Sequence, residues 1–541
     1  MTIVRSGGIM RHAVARKVNL VLVATIVVAV SLSNWLVKCA DAYQLTDDLE
    51  VRGTYKMESY FRLPDGTRQI FNPSTEKFDT EHLDHLMSQR NEFRLDIEWT
   101  PKTEDWGPGF PEMKAIVQFR PWYDSDWQLS SEGQGRYQQQ LWSYWGNNLQ
   151  HPFTGDATGN DPVFREYYLD IMPRHFFFRI GSQIIAWGKS DGVYMLDILN
   201  NFNLRNPTIF EEENIKIPVW AANMNWQPWV GSNLQLLWMP QWFPTYWPGL
   251  RLAHGEPVEG GYHDWTYGVV ADFNNFYNGQ FGFKVPVSLH TPTVRPQDWI
   301  GGARWSDAVG GLNYTINYLY TYTTGYIDYP NTGSFSTATA VVREPHRMQV
   351  IGGSMDYDLE TGHESIDGTV LRVESSETVG DQYYQGIVGN PKYVSHWGVL
   401  MGVDKTILGD YLERPVFASV QYWHDMVTNQ DRCNNCGAEP GKFEDLGFDG
   451  TTAGMRGVYK SLMTIFMEKN WLEGDTVITD FFALYELQYH DWWIRPKVTY
   501  KYDDNTTFAL GFNIFAGQVQ TPYGQFTNNT NAFIELRRQL F

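Results

Sequence analysis

Cysteine is scarce: three in 541 residues, at positions 39, 433 and 436. Cys433 and Cys436 are the only pair beyond the first forty-two positions, with no second pair and no histidine nearby, which argues against zinc. Gly437, not histidine, follows Cys436, which argues against c-type haem attachment. A disulfide Cys433–Cys436 in an oxidising compartment is the expectation, within a long polar loop over 428–456. Basic charge is also short: 42 Lys and Arg stand against 62 Asp and Glu, a net −20, with no long basic run. That excludes a nucleic-acid binder, which needs basic patches for phosphate. No run of about eighteen apolar residues follows residue 42, so no transmembrane helix is expected. No Pro/Ser-rich linker splits the chain, which favours one domain, and no clean repeat supports a propeller.

What the chain does have begins with a leader. Arg5, Arg11, Arg16 and Lys17 precede an apolar stretch from Val18 to Val30, and Ala40-Asp41-Ala42 supplies an A-x-A cleavage pattern. Residues 1–42 therefore read as a secretory signal peptide and 43–541 as the mature domain. Lys38 before Cys39 does not fit a lipobox. An exported chain without apolar helices is either a secreted soluble protein or an outer-membrane β-barrel, which hides its membrane signal in alternation.

Alternation is abundant. Candidate strands follow each other with little helical pattern between them, among them Leu49–Leu63, Asn91–Trp99, His175–Trp187, Gln280–Leu289, Gly301–Trp305, Leu312–Thr323, Val477–Tyr489 and Thr507–Phe515. Gly, Pro, Asn and Asp clusters separate them. Aromatics are 16% of the chain, with 22 Trp and 31 Tyr. In NYTINYLYTYT, Tyr314, Ile316, Tyr318, Tyr320 and Tyr322 take one face, and small or polar residues take the other apart from Leu319. A sandwich core favours Val, Ile and Leu, whereas a lipid-facing wall carries Tyr and Trp at its interfaces. Tyr314 and Tyr322 lie about 27 Å apart along a strand, close to the height of an apolar band. The expected fold is all-β: a large antiparallel transmembrane barrel of roughly 16–18 strands, with an inward-folded plug or constriction segment.

The chain ends on Phe541 after a strand pattern, the signal read by the outer-membrane barrel assembly machinery. The phase is imperfect, because steps of two back from Phe541 meet Gln539, Arg537 and Glu535; a bulge would reconcile it.

Residues 176–220 carry a distinctive spacing: Arg179, Gly181, Gln183, Trp187-Gly188, Asp191-Gly192, Asp197, Asn200, Arg205, then Ile217-Pro218 and Trp220. This stretch resembles a domain-of-unknown-function family of Gram-negative outer-membrane barrels, often encoded beside RND-type exporters. Asn201 and Asn203 depart from the family's usual Pro and Asp. The resemblance implies a barrel in the outer membrane, contacts with its lipids, and an inner-membrane RND-type exporter or periplasmic carrier as partner. It also implies a small solute, including a hydrophobic one, as cargo. The residues themselves place Arg179 and Gln183 on the lumen side of one strand. The irregular segment after Gly188 then folds inward, with Lys189, Asp191, Asp197 and Arg205 in a lumen charge network. Trp187, Asn200 and Asn203 complete the lumen or constriction candidates. The bland reading is that these side chains only pin a loop to the wall.

Other motifs are weaker. Gly188-Lys189-Ser190 lacks the upstream glycine of a P-loop, because Gln183 stands there. His363-Glu364-Ser365 brings to mind the strand motif of outer-membrane acyl hydrolases, with base and nucleophile on one face, but Ile366-Asp367 replaces Asn-Gly. The Trp- and Pro-rich stretch 238–249 reads as a loop or interface segment rather than a wall strand. No catalytic residue, metal or cofactor is assigned. The function expected is a porin-like channel; the alternatives are an outer-membrane lipid ester hydrolase and a structural barrel sheathing a periplasmic electron-transfer partner.

Overall fold

A computed structural model describes residues 43–63, 67–72, 77–82, 86–107, 109–124, 163–190, 192–204, 215–245, 252–253, 256–257, 287–324, 327–330, 341–363, 365–384, 391–407, 414–428, 459–517 and 523–541. The leader over 1–42 and the cysteine pair Cys433 and Cys436 lie outside the described residues. No described helix is long and apolar enough to cross a membrane.

Eighteen strands form one closed antiparallel sheet. In chain order the first nine are β1 Leu49–Arg62, β2 Leu86–Trp99, β3 Glu112–Phe119 continued by Trp122–Asp124, β4 Phe164–Met172, β5 Phe176–Gln183, β6 Val219–Trp226, β7 Asn233–Met239, β8 Ile300–Val309 and β9 Leu312–Tyr322. The rest are β10 Arg347–Leu359, β11 Thr369–Tyr384, β12 Pro391–Ile407, β13 Val416–Val427, β14 Tyr459–Trp471, β15 Val477–Glu486, β16 Asp491–Asp503, β17 Thr506–Ala516 and β18 Asn531–Gln539. Each pairs with the next, and β18 pairs with β1 from Thr54↔Gln539 to Arg62↔Asn531, which closes the barrel and leaves no sheet edge. A short strand, Tyr43–Thr46, folds back on the start of β1. Hairpins such as Gly310-Gly311 and Asp504-Asn505 gather at the end that holds Tyr43 and Phe541; the long connections gather at the other. The expected Gln280–Leu289 strand is not wall: its described part, Val287–Leu289, runs parallel to Val341–Glu344 in a separate three-stranded loop sheet.

Two-residue alternation sorts side chains to two solvents. Outside, Ile316, Tyr318, Ile351, Met401, Val420, Ile465, Leu510 and Phe512 form an exposed apolar band. Aromatics border it: Trp99, Phe176, Trp226, Trp471 and Tyr502 at the short-turn end, Trp238, Trp299, Tyr320, Tyr459 and Trp492 at the other. This is the surface of a membrane-spanning barrel. On β9, Thr315, Asn317, Leu319 and Thr321 are buried on the inner face, as the alternation demands. Tyr322 departs from the expected pattern: it is 8% exposed, covered at the rim. Its hydroxyl donates to Asp298 Oδ1 at 3.2 Å, and the Arg347 guanidinium lies 3.7 Å over its ring. Tyr320 is therefore the last lipid-facing residue of that strand.

The C-terminus resolves its phase by a local irregularity. Leu540 N donates to Gly53 O at 2.7 Å and Gly53 N donates to Phe541 O at 2.8 Å, so two residues oppose one. The Phe541 ring then lies against Gly53, where a Cβ would sit 2.7 Å from its Cζ. Phe533 and Glu535 meanwhile face inward, beside Tyr60 and Lys56.

Candidate functional site

The connection from β5 to β6 is described over 184–190, 192–204 and 215–218, and its described side chains pack on inward-facing side chains of the wall. Its origin is fixed by β5. Gly181 has φ +136°, and a Cβ there would meet Tyr167 O at 2.2 Å, so only glycine lets β4 and β5 approach this closely. Arg179 donates from Nε and Nη2 to the two carboxylate oxygens of Asp170 at 2.7 and 2.8 Å, with its guanidinium 3.9 Å over Tyr168. Arg179 thus belongs to the wall. Gln183, fully buried, donates to Ala221 O at 3.1 Å and accepts from Asn223 Nδ2 at 3.3 Å.

Beyond Gln183 the backbone loses its ladder, and side chains replace it. Asn200 is the chief substitute: its Oδ1 accepts from Ile185 N at 2.7 Å, and its Nδ2 donates to Gln183 O and Ile217 O at 3.2 and 2.9 Å. Asn203 N donates to Ile215 O at 2.6 Å and Ile217 N to Asn201 O at 2.8 Å, so the segment doubles back on itself. Trp187 donates from Nε1 to Gln235 Oε1 at 2.8 Å. Lys189 is tied three ways to the facing wall: its ammonium pairs with Asp356, its amide donates to Glu374, and its carbonyl accepts from Arg372 Nη1 at 2.9 Å.

Asp191 and Arg205 lie outside the described residues. Asp197 accepts from Trp187 N at 3.3 Å and pairs with Lys216, a fully buried lysine whose carbonyl also accepts from Arg165 Nη2 at 2.6 Å. Sequence reasoning missed Lys216, although a lone cation inside Ile215–Trp220 was a visible anomaly.

Apolar packing joins the described part of this connection to two stretches of the wall. Ile185, Trp187 and Leu199 share a buried cluster with Leu237, Ile300, Leu319, Met348 and Val350 on β7–β10. Val193, Met195 and Leu196 share another with Leu400, Leu462, Phe482, Leu484, Trp493 and Phe515 on β12–β17. Three inward glycines make room: a Cβ at Gly302 would lie 2.8 Å from Trp187, at Gly352 2.7 Å from Leu196, and at Gly398 3.0 Å from Met195.

The wall over β18 and β1–β4 is different. Lys56 pairs with Glu58 at 3.1 Å and Glu535 at 3.8 Å, and Glu92 pairs with both Arg90 and Arg120 at 2.8 and 3.1 Å. These side chains are nearly all buried. The sequence carried this network openly, as charges at every second position from Arg90 to Glu98.

His363 and Ser365 sit in the β10–β11 turn, not on a strand, so the shared face that base and nucleophile need is missing. His363 O accepts from Ile366 N and Asp367 N at 2.8 and 2.9 Å, and Lys405 Nζ donates to Ser365 O at 2.9 Å. Asp367 Oδ1 accepts from Thr361 N at 2.6 Å, which with the Thr361 hydroxyl and Gly362 amide holds its carboxyl below the ordinary aspartate value. Of the Trp-rich stretch 238–249, Trp238 ends β7 facing outward and Trp242 is buried against Tyr322 off the strand.

A family model described as a protein of unknown function, DUF1302, matches residues 77–381. No curated protein matches the chain. Among solved structures, OccAB1 of Acinetobacter baumannii is 9% identical with a TM-score of 0.44, covering 93% of this chain and 100% of that one. A BenF-like porin from Pseudomonas fluorescens Pf-5 is 9% identical with a TM-score of 0.42, over 91% and 98% of the two chains. The outer membrane channel DcaP of Acinetobacter baumannii is 9% identical with a TM-score of 0.37, over 93% and 99%.

Proposed function

Since the chain belongs to the DUF1302 family, whose description assigns no activity, we propose from its geometry that it is an outer-membrane channel. In this reading it passes a small solute with both polar and apolar parts. Residues 184–218 narrow the passage, and no catalysis takes place. The observation that supports this is the packing of the described part of this connection, which bonds to β10 and β11 through Lys189 and packs on β12–β17 through Val193, Met195 and Leu196. A lumen that served only as a wide sheath would have no use for such a crossing. The short-turn end faces the periplasm, where an RND-type exporter or a periplasmic carrier delivers or collects the solute.

Planar-bilayer conductance tests the reading. Gly302→Leu drives a side chain into Trp187 while leaving the backbone ladder intact. Conductance should rise as the segment is displaced, with the heat-modifiable band of the folded barrel retained. Unchanged conductance in a folded variant would remove 184–218 from the passage.

A further inference from the structure

The adjacent strands β6 and β7 carry no Asp, Glu, Lys or Arg. In their short-turn half the inward positions are carboxamides: Asn223 and Asn225 on β6, Asn233 and Gln235 on β7. These are bonded in series. Asn233 Nδ2 donates to Asn225 Oδ1 at 2.9 Å, Asn225 Nδ2 donates to Asn223 Oδ1 at 3.0 Å, and Gln235 Nε2 donates to that same oxygen at 3.1 Å. Asn223 donates onward to Gln183, and Gln235 accepts from the Trp187 indole. The series thus runs from the β6–β7 turn up the wall to the foot of the β5–β6 connection.

A carboxamide has two N–H donors and two lone pairs on its oxygen. Asn225 and Gln235 each spend one N–H and one lone pair on the series, and Asn233 spends one N–H. All three side chains stay partly exposed on the inner face, so lumen water reaches them without any part of the chain moving. Asn223, 8% exposed, is the hub that holds them. Phe177, directly opposite Asn225 on β5, is also partly exposed and sets an apolar ring beside them. The charges at the borders face opposite charges. Arg179 is paired with Asp170, and Arg304, directly opposite Gln235, lies in the field of Glu374 and Asp197.

We propose that Asn225, Asn233 and Gln235 form a contact lane for an uncharged, hydroxylated solute with an apolar face, a pyranose sugar being the simplest case. A hydroxyl both donates and accepts, so it pairs with the spare N–H and lone pair of a carboxamide. The C–H face of the ring lies on Phe177. An ion gains no counter-charge there to replace its water, because the carboxamides are neutral and the bordering charges are matched. The series holds the carboxamides in one orientation, so the lane is ready before a solute arrives.

The lane rests on the channel reading, and one set of assays separates the two. The full barrel is tested for KCl conductance in planar bilayers. Osmotic swelling of proteoliposomes is then followed, in mildly acidic buffer, with D-glucose, potassium D-gluconate (an anion) and D-glucosamine hydrochloride (a cation). Glucose should enter about fivefold faster than either charged isostere, the ratio that one net hydrogen bond sets. Asn225→Asp keeps the acceptor for Asn233 and leaves Gln235 to serve Asn223, and it should move the preference to glucosamine. Asn225→Leu should lower glucose entry about fivefold. Thr499→Val, on the inner face of β16 nine strands from β7, should leave all three rates as in the wild type. KCl conductance shows that each variant is inserted. Absence of conductance in the wild type would overturn the channel and the lane with it. Conductance with equal entry of the three solutes, or a glucose loss in Thr499→Val as large as in Asn225→Leu, would overturn only the lane. If Asn225→Leu fails to insert, Asn233→Leu decides: lowered glucose entry is expected, and unchanged entry would overturn the lane.

Discussion

The inner surface of this barrel solves one problem in two ways. Over β18 and β1–β4, charged side chains are buried by pairing with one another: Lys56 with Glu58 and Glu535, Glu92 with Arg90 and Arg120. Over β7–β17, inner-face residues are buried against Ile185, Trp187, Val193, Met195, Leu196 and Leu199 of the β5–β6 connection, seated on Gly302, Gly352 and Gly398. The first wall pairs its charges among its own strands and their short connections. The second depends on a connection that starts at the end of β5 and shares a buried cluster reaching as far as Phe515 on β17.

That contrast can be broken most sharply at Glu92. Glu92→Gln removes the carboxylate that pairs with the buried Arg90 and Arg120, and should lower the unfolding free energy by about 3–5 kcal/mol. Reversible urea unfolding in lipid vesicles measures this, and a loss below about 1 kcal/mol would show that the charged wall is hydrated rather than self-satisfied. Next in size is the outer face. Ile351, 52% exposed on the lipid side of β10, replaced by arginine should cost about 2–4 kcal/mol near mid-bilayer without altering conductance, since it touches neither inner wall. A conductance change would mean that the two faces are coupled through β10.

The smallest effect lies outside the membrane, at Asp367. Its lowered carboxyl value in the folded turn means that the turn's stabilisation is present in full above the ordinary aspartate value and is lost as pH falls through the lowered one. Amide exchange at Thr361 and Gly362, referenced to Asp367→Asn, should therefore quicken only in strong acid, while exchange in β10 and β11 stays constant. Exchange rising together in turn and strands would show that the turn is not an independent unit.

Much of this was legible in the chain. Strict alternation in Leu312–Tyr322 and in Arg90–Glu98 specifies strands with two unlike faces, because a strand's side-chain period is two whatever it pairs with. Leu319 was the one misfit on the polar face of its strand, and the structure explains it: it packs in the Trp187 cluster rather than lining water. The inward candidates Arg179, Gln183, Trp187, Lys189, Asp197, Asn200 and Asn203 were also visible as a dense run of polar and aromatic residues. Their partners were not. Asp170, Lys216, Gln235, Asp356 and Glu374 stand from 9 to 185 positions away.

Local pattern alone determined that this is a β-barrel and which face of each strand meets lipid, since both follow from interactions between residues two positions apart. Which inner positions meet the described residues of the β5–β6 connection, only the closed barrel decided. Closure sets strands eight or more apart in order across one lumen, and a contact across that space leaves no periodic trace in the sequence of either partner.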